Sequence, residues 1–388
     1  MKLLFYSDMV FGFGGVERVL AEIAKVLSHY HDVTILTTDA RRDLSMYGYA
    51  EARVKFEYIY YPKTFSGEKL FCKAYSFLFK KYLPHTQFTS NWYARSSFLP
   101  AYRKLLIRNI CDGKYDAIIG VHAFASLHLA AISRQVNIPV IGWIHNSYQA
   151  LFEKENPYLP GLKEHFHFQI SKLDRLIVLS HSDVELFKQK MELNAECIYN
   201  PLTLEPKGLG NPIYKTFLAV GRFSFRHKGF DILINAFAQF ARTNPDWKLD
   251  IVGEGPEEEL YRSLIAEYKL EDRVVIYPFT KDIQQYYSKA SVYVLSSRWE
   301  GFGLVLVEAM AHGLPIVSSD VLVALELLKG KGVATFFENG SVEDLVARLH
   351  YMACDADLER MGRAAYNYSK LFDIHSTCKQ WCELLQRV

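Results

Sequence analysis

Short, nearly continuous apolar runs alternate along this chain with longer stretches of helical periodicity. Lys2–Ser7 is such a run. It is followed by the glycine cluster Gly12-Phe-Gly14-Gly15, after which Val16, Val19, Leu20, Ile23 and Leu27 recur at helical spacing and Val33–Thr38 is apolar again. Strand, glycine turn, helix and strand make a βαβ unit. Ala117–Val121, Val140–Ile144 and Arg175–Leu179 read as further strands between helical stretches. Continuous rather than alternating apolar runs belong to parallel sheets covered on both faces.

The rhythm breaks into Pro- and Gly-containing coil from Tyr199-Asn-Pro-Leu202 to Pro212, then restarts. Phe217–Val220, Lys248–Val252, Val274–Tyr277, Val292–Leu295 and Pro315–Ser318 read as strands, and 304–311 as a helix. Phe230, Leu233, Ile234, Phe237 and Ala241 form one helical stripe; Leu260, Tyr261, Leu264, Ile265 and Tyr268 form another. The pattern predicts two α/β domains, 1–200 and 201–372, with a deep cleft between them where ligands of such sheets sit. Residues 373–388 read as a helix packing back on the first domain.

A length of 388 residues fits two domains. Half the residues are hydrophobic and 23% are charged, which excludes a disordered or fibrous chain. Forty-five Lys and Arg against 43 Asp and Glu leave a charge of +2, too balanced for whole-chain phosphate neutralisation, so no nucleic-acid partner is expected. Six scattered cysteines without ligand spacing point to a reducing compartment. No signal peptide is read at the start, and no uncharged run is apolar enough to predict a membrane span. One segment departs from this balance: residues 60–108 hold nine Lys and Arg against Glu68 alone, interleaved with thirteen aromatics. Such a segment suits an anionic bilayer or a phosphorylated lipid, or else a solvated face over an aromatic stripe turned to the core.

Candidate chemistry lies mainly in two motifs. In Glu300-Gly-Phe-Gly-Leu-Val-Leu-Val-Glu308, two glutamates eight positions apart bracket a glycine turn and the start of a helix. Eight residues span at most about 12 Å along a helix, comparable to a nucleotide-sugar from ribose to hexose. Glu308 shares a face with Leu304, Val305 and Ala311 and is expected to be buried. There its carboxylate needs donors, from a ribose diol or from a core lysine. Amides at Phe302, Gly303 and Leu304 open the helix, where phosphates bind. The second motif, Gly221-Arg-Phe-Ser-Phe-Arg-His-Lys-Gly229, places Arg222 and Lys228 just beyond a strand, with Arg226 and His227 between them. Two fixed cations can stabilise a departing diphosphate, although an exposed basic loop reads the same way. His145 ends a strand, where ligand contact and strand-end hydrogen bonding are equally open.

In this order the motifs resemble the family-4 retaining glycosyltransferases of the GT-B fold, in which two Rossmann-like domains face each other across a deep cleft. The resemblance spans nearly the whole chain. It includes Gly14-Gly-Val-Glu17, the Gly221-Arg…Lys-Gly229 pattern, Ile251-Val-Gly-Glu-Gly-Pro256, Ser296-Ser-Arg-Trp-Glu-Gly-Phe-Gly303 and Gly313-Leu-Pro-Ile-Val317. It implies an acceptor-side N-terminal domain and a nucleotide-sugar-binding C-terminal domain. Arg222 and Lys228 would hold the donor diphosphate and Glu308 the ribose, with Glu300 near the hydroxyls of the transferred sugar. The backbone of Phe302, Gly303 and Leu304 would touch phosphate and sugar. Gly15 would approach the diphosphate or acceptor, Phe279 would read the base, and His145 would lie near the donor sugar.

The implied reaction is retaining hexosyl transfer from a nucleotide-sugar to an acceptor hydroxyl. The acceptor would be a lipid-linked oligosaccharide, or a lipopolysaccharide or capsule precursor, at the inner face of the cytoplasmic membrane. No cofactor and no divalent metal are implied. Asp355-Ala-Asp357 has the form of a metal-binding DxD, but falls in a charged C-terminal stretch read as helical. UDP-hexose is favoured as donor over GDP-mannose.

Three features depart from the family pattern: Asn200-Pro201 near the hinge, Pro278 before Phe279, and Val321-Leu-Val-Ala-Leu-Glu326 where a glycine-proline loop is usual. Two readings compete. Gly12-x-Gly14 with Asp39 could begin a dinucleotide site, but position 17 is Glu rather than the third glycine. A catalytically silent glycosyltransferase-like subunit would be expected to lose Arg222, Lys228, Glu300 or Glu308, and all four are present.

Overall fold

The structure is a computed structural model and describes residues 1–60, 66–224 and 227–388. Its compact units are Met1–Pro201 with Ile374–Val388, and Leu202–Asp373. In the first unit the strands are β1 (Lys2–Ser7), β2 (Asp32–Thr37), β3 (Lys55–Tyr58), β4 (Ala117–Val121), β5 (Val140–Trp143), β6 (Arg175–Val178) and β7 (Glu196–Cys197). Among the described residues they form one sheet in the order β3-β2-β1-β4-β5-β6-β7, with every neighbouring pair parallel. In the second unit β8 (Thr216–Val220), β9 (Lys248–Val252), β10 (Val274–Tyr277), β11 (Val292–Leu295), β12 (Ile316–Ser319) and β13 (Ala334–Phe337) are also parallel, in the order β10-β9-β8-β11-β12-β13.

The buried runs explain these sheets. Every residue of β4, β5 and β11 is buried, as a strand covered by helices on both faces requires. Each sheet reverses strand order once, between β1 and β4 and between β8 and β11. At such a point the loops leaving the two carboxyl ends diverge and open a crevice. The glycine cluster follows β1. The Arg222–Lys228 loop follows β8, and the Glu300 loop follows β11.

The helix Ile374–Leu385 belongs to the first unit, where its fully buried Trp381 meets Trp143 edge-on at 5.0 Å. Two stripe positions differ from expectation. On the helix Gly15–Leu27 it is Glu17 that is buried while Val16 is only half-buried, and on Glu258–Glu267 Leu260 is exposed. The basic aromatic segment forms three helices, Ser66–Lys81, Gln87–Ser97 and Pro100–Gly113; Tyr61, Lys63 and Phe65 lie outside the described residues. Its aromatics divide between core and solvent. Phe79, Tyr93, Phe98 and Tyr102 are buried, whereas Phe71, Phe77, Tyr82, Phe88 and Trp92 are exposed. Among the described residues, no helix is long and apolar enough to cross a membrane.

Candidate active site

In the second unit, the loop after β8 is fastened to the loop after β11. Ser296 Oγ donates to the Lys228 carbonyl at 2.7 Å, and the Arg298 amide donates to the His227 carbonyl at 2.8 Å. The His227 ring stacks on Trp299 at 4.8 Å and hydrogen-bonds its carbonyl at 2.9 Å. Gly229 makes the approach possible: its φ is +62°, and a Cβ there would overlap the Ser296 carbonyl oxygen. Arg226 lies outside the described residues.

This fastening brings the two motifs together. Lys228 Nζ donates to Glu300 Oε1 at 2.6 Å, and Ser297 Oγ donates to the same oxygen at 2.6 Å. The side chains of Lys228 and Glu300 are only 12% and 7% exposed. Burial alone would raise the Glu300 carboxyl; the charges of Lys228 and His227, with the hydrogen bonds from Lys228 and Ser297, outweigh it and hold it below the usual glutamate value. Glu300 is therefore an anion in a dry site. Arg222 leaves the end of β8 exposed, and its guanidinium forms no hydrogen bond or ion pair among the described residues.

Glu308 is buried on the helix Leu304–Ala311, where Tyr287 donates to its Oε2 at 2.9 Å. A tyrosine thus serves it where a core lysine was one of the two expectations. Tyr293 on β11 is fully buried. Burial, then the charges of Glu300 and Glu308, push its phenol far up, so it stays protonated and donates to the Val220 carbonyl at 3.4 Å. Gly303 caps the helix at φ +77° without a side-chain acceptor, so the first N–H groups at Leu304 are held by no capping side chain. Phe302 is buried, with its ring against Phe372 at 6.2 Å. Phe279 is exposed beyond β10, at the edge of the sheet and two strands away from β8.

The first unit carries a second cluster at the carboxyl edge of its sheet. Asp39 Oδ2 accepts from the Val10 and Phe11 amides at 3.0 Å each, and Arg41 clasps the same carboxylate through Nε at 2.9 Å and Nη2 at 2.8 Å. Against its burial, these bonds hold the Asp39 carboxyl far below the usual range. Tyr47 donates to the Gly12 carbonyl at 2.7 Å, which completes the bracing of the glycine loop that leads into Gly15 at the start of its helix. Asp39 is thus committed to loop and arginine, which counts against its use for a dinucleotide ribose.

Two residues here went unread in the sequence. Asp8, just beyond β1, meets His122, just beyond β4, at 2.6 Å between Oδ1 and Nε2. His122 opens the helix His122–Ile132 at φ +64°, a conformation that costs a non-glycine residue energy and collects at functional sites. The available signal was that His122 ends the run Ala117–Val121 just as His145 ends its own. His145 is buried against Trp143, with ring centroids 4.2 Å apart, and its Nε2 has no hydrogen-bond partner. Burial, with His122 nearby, lowers it to about 3, so the ring is neutral. Asp355 and Asp357 lie between helices rather than within one: Asp355 ends Val342–Cys354, and Asp357 caps Leu358–Ser369 by accepting from the Arg360 amide at 3.0 Å.

Two Rossmann-like units with charged loops at their strand-order reversals are an architecture that binds ligands beyond the carboxyl ends of its strands. The family described as Glycosyltransferase Family 4 matches residues 13–205, and that described as Glycosyl transferases group 1 matches 205–368. An uncharacterised glycosyltransferase of Haemophilus influenzae is 32% identical over 274 residues, 70% of this chain and 76% of its own length. The lipopolysaccharide 1,6-galactosyltransferase of Escherichia coli K12 is 24% identical over 371 residues, 92% and 91% of the two chains. Anabaena HepE, solved in complex with UDP and glucose, superposes over the whole of both chains with a TM-score of 0.76 and 20% identity. The chain belongs to the family-4 glycosyltransferases and has their GT-B fold.

Proposed function

We propose that this enzyme transfers a hexose, with retention at the anomeric carbon, from UDP-hexose to a hydroxyl of a lipid-linked oligosaccharide or lipopolysaccharide-type precursor. The observation that carries the reading is the buried Lys228–Glu300 pair at the strand-order reversal of the second unit, with Arg222 earlier in the Lys228 loop and the buried Glu308 on the helix that follows Glu300. Lys228 and Arg222 hold the diphosphate and stabilise the charge that develops as it leaves, so the bond breaks without a divalent metal. The ribose hydroxyls donate to Glu308, whose Oε2 already accepts from Tyr287. The sugar hydroxyls meet Glu300, the amides from Phe302 to Leu304 face phosphate and sugar, and Phe279 reads the base. By the same resemblance Gly15 of the first unit is assigned to the diphosphate or acceptor, and His145, whose ring is neutral, to the donor sugar. With no carboxylate assigned as nucleophile, the acceptor attacks on the face the phosphate leaves. The departing phosphate takes its proton.

The acceptor class draws on the galactosyltransferase relative, and the choice of UDP on the resemblance to UDP-sugar transferases. A lipid-borne acceptor also agrees with the helix Ser66–Lys81, which presents Leu70, Phe71, Phe77 and Leu78 to solvent beside the exposed Lys69, Lys73, Lys80 and Lys81. Apolar groups that enter the acyl boundary, next to cations that meet anionic headgroups, suit a peripheral enzyme at the inner face of the cytoplasmic membrane.

The role assignment is tested by separating affinity from turnover. Glu308→Gln should weaken UDP binding by about tenfold or more, as one ribose hydrogen bond to a charged acceptor is lost. Glu300→Ala should leave UDP affinity nearly unchanged and lower turnover of UDP-hexose. Equal loss of UDP affinity in both variants defeats the assignment.

A further inference from the structure

At the carboxyl edge of the first sheet, the Asp8–His122 pair has no part in the roles assigned above. The β1–β4 register sets Tyr6 opposite Gly120, so just beyond the two strands Asp8 comes opposite His122, and the 2.6 Å contact between Oδ1 and Nε2 closes there. The pair is open to solvent, with side chains 49% and 20% exposed for Asp8 and His122. Burial alone would raise the Asp8 carboxyl; the hydrogen bond and charge of His122 outweigh it and hold it below the usual aspartate value. A carboxylate at Nε2 fixes that nitrogen as the donor, and in the neutral ring Nδ1 is left as an acceptor. Neither Nδ1 nor the second carboxylate oxygen, Oδ2, takes a hydrogen bond from another described residue. Two neighbouring acceptors without donors of their own fit a ligand rich in hydroxyl groups, and a free carboxylate repels a phosphate.

An exposed ring reaches the same place. His128 Nδ1 meets Tyr6 Oη at 3.2 Å, which fixes the level at which the helix His122–Ile132 lies against β1. From this contact both elements run to the same edge of the sheet. Asp8 lies two residues on from Tyr6 and on the same face, about 6.6 Å further at the rise of a strand. Phe124 lies four residues back from His128 and on the same helical face, about 6 Å further at the rise of a helix. Phe124 and the Asp8–His122 pair therefore stand at nearly one level, and the Phe124 side chain is 51% exposed. A flat apolar ring beside a few polar groups is what a pyranose requires, with C–H groups on its face and hydroxyls around its rim.

We propose that Asp8, His122 and Phe124 bind a sugar of the acceptor: its hydroxyls donate to Asp8 Oδ2 and His122 Nδ1 while its apolar face lies on Phe124. The occupant is the acceptor and not the donor, because the free carboxylate disfavours a diphosphate and Glu300 already takes the hydroxyls of the transferred sugar. The assignment to an acceptor rests on the transfer proposed above.

Calorimetry of the full-length protein, with deacylated rough-form lipopolysaccharide and UDP as separate titrants, tests the site. The double variant Asp8→Ala/His122→Ala should bind the glycan at least tenfold more weakly than the wild type. Phe124→Ala changes only an exposed side chain, so it carries the test even if the double variant fails to fold; it should lose glycan affinity to a similar extent, and Phe124→Tyr should restore it. UDP affinity should stay within twofold of the wild type in all three variants. Equal glycan affinity in wild type and variants, or no glycan binding by the wild type, overturns the proposal. A parallel loss of UDP affinity also overturns it, since the group would then belong to the donor. Glycan binding that falls in the variants while no protein binds UDP would keep the sugar site and defeat the donor reading instead.

Discussion

Lys228→Ala is expected to lower hexosyl transfer by about 10²- to 10³-fold, the loss typical of removing one preorganised group that stabilises transition-state charge. The proposed mechanism and the structure give this residue two duties. In the proposal its ammonium stabilises the departing diphosphate, and in the structure it is the first of the groups that keep Glu300 ionised against burial. Its removal therefore strands a buried carboxylate with Ser297 as its remaining hydroxyl donor, at a cost of about 3–5 kcal/mol for breaking a buried pair. The two effects separate experimentally. Adding Glu300→Ala to Lys228→Ala should recover much of the stability, since no unpaired charge remains, and none of the activity. Chemical denaturation and steady-state turnover of the wild type, both single variants and the double variant complete the cycle. Turnover of Lys228→Ala near the wild-type value would contradict the role given to Lys228, and no turnover in the wild type itself would favour a catalytically silent subunit.

The first unit should lose stability steeply below about pH 6.5. His128 is lowered to about 4, and His145 and His165 to about 3, each chiefly by burial. Unfolded, these rings titrate near 6.5 and take up protons that the folded state refuses until pH 4 or below. Their contribution is therefore fully present above about pH 6.5 and is lost as pH falls toward the folded values. Each ring is worth about 1.4 kcal/mol per pH unit within that window, so three give a slope of up to about 4 kcal/mol per pH unit near pH 5. Glu17, raised by burial, opposes them in part. Urea unfolding at pH 7, 6, 5 and 4.5 measures the slope, and His145→Asn should flatten it by about a third. Unchanged stability from pH 6.5 to 4.5 would contradict the burial of these rings as neutral groups.

The strands legible in the sequence are those that the sheet buries. β1, β4, β9, β10 and β11 stand where their apolar runs lie, while the ends of β2, β5, β6, β8 and β12 shift by one residue. β3, β7 and β13 escaped notice for physical reasons. Lys55–Tyr58 is a charged edge strand, Glu196–Cys197 is two residues long, and no residue of Ala334–Phe337 except the last is fully buried. The Glu300 and Lys228 motifs could be found because spacing along the chain carries them. Their partners could not. Tyr287 reaches Glu308 from a short helix twenty-one positions earlier, and Asp8 reaches His122 across 114 positions through the β1–β4 pairing. Such contacts are set by which strands become neighbours, and no local pattern encodes them. Among the aromatics of residues 60–108, the split between core and solvent likewise depends on which helix faces meet the sheet.

The central claim is a nucleotide-sugar site on the second unit built by Arg222, Lys228, Glu300 and Glu308. Calorimetric titration of the purified protein with UDP, GDP and NAD in the presence of EDTA tests it most directly. Micromolar binding of UDP alone is expected. GDP binding in its place would keep the reaction and change the donor to a GDP-sugar. Binding of NAD, or of no nucleotide at all, would contradict the site.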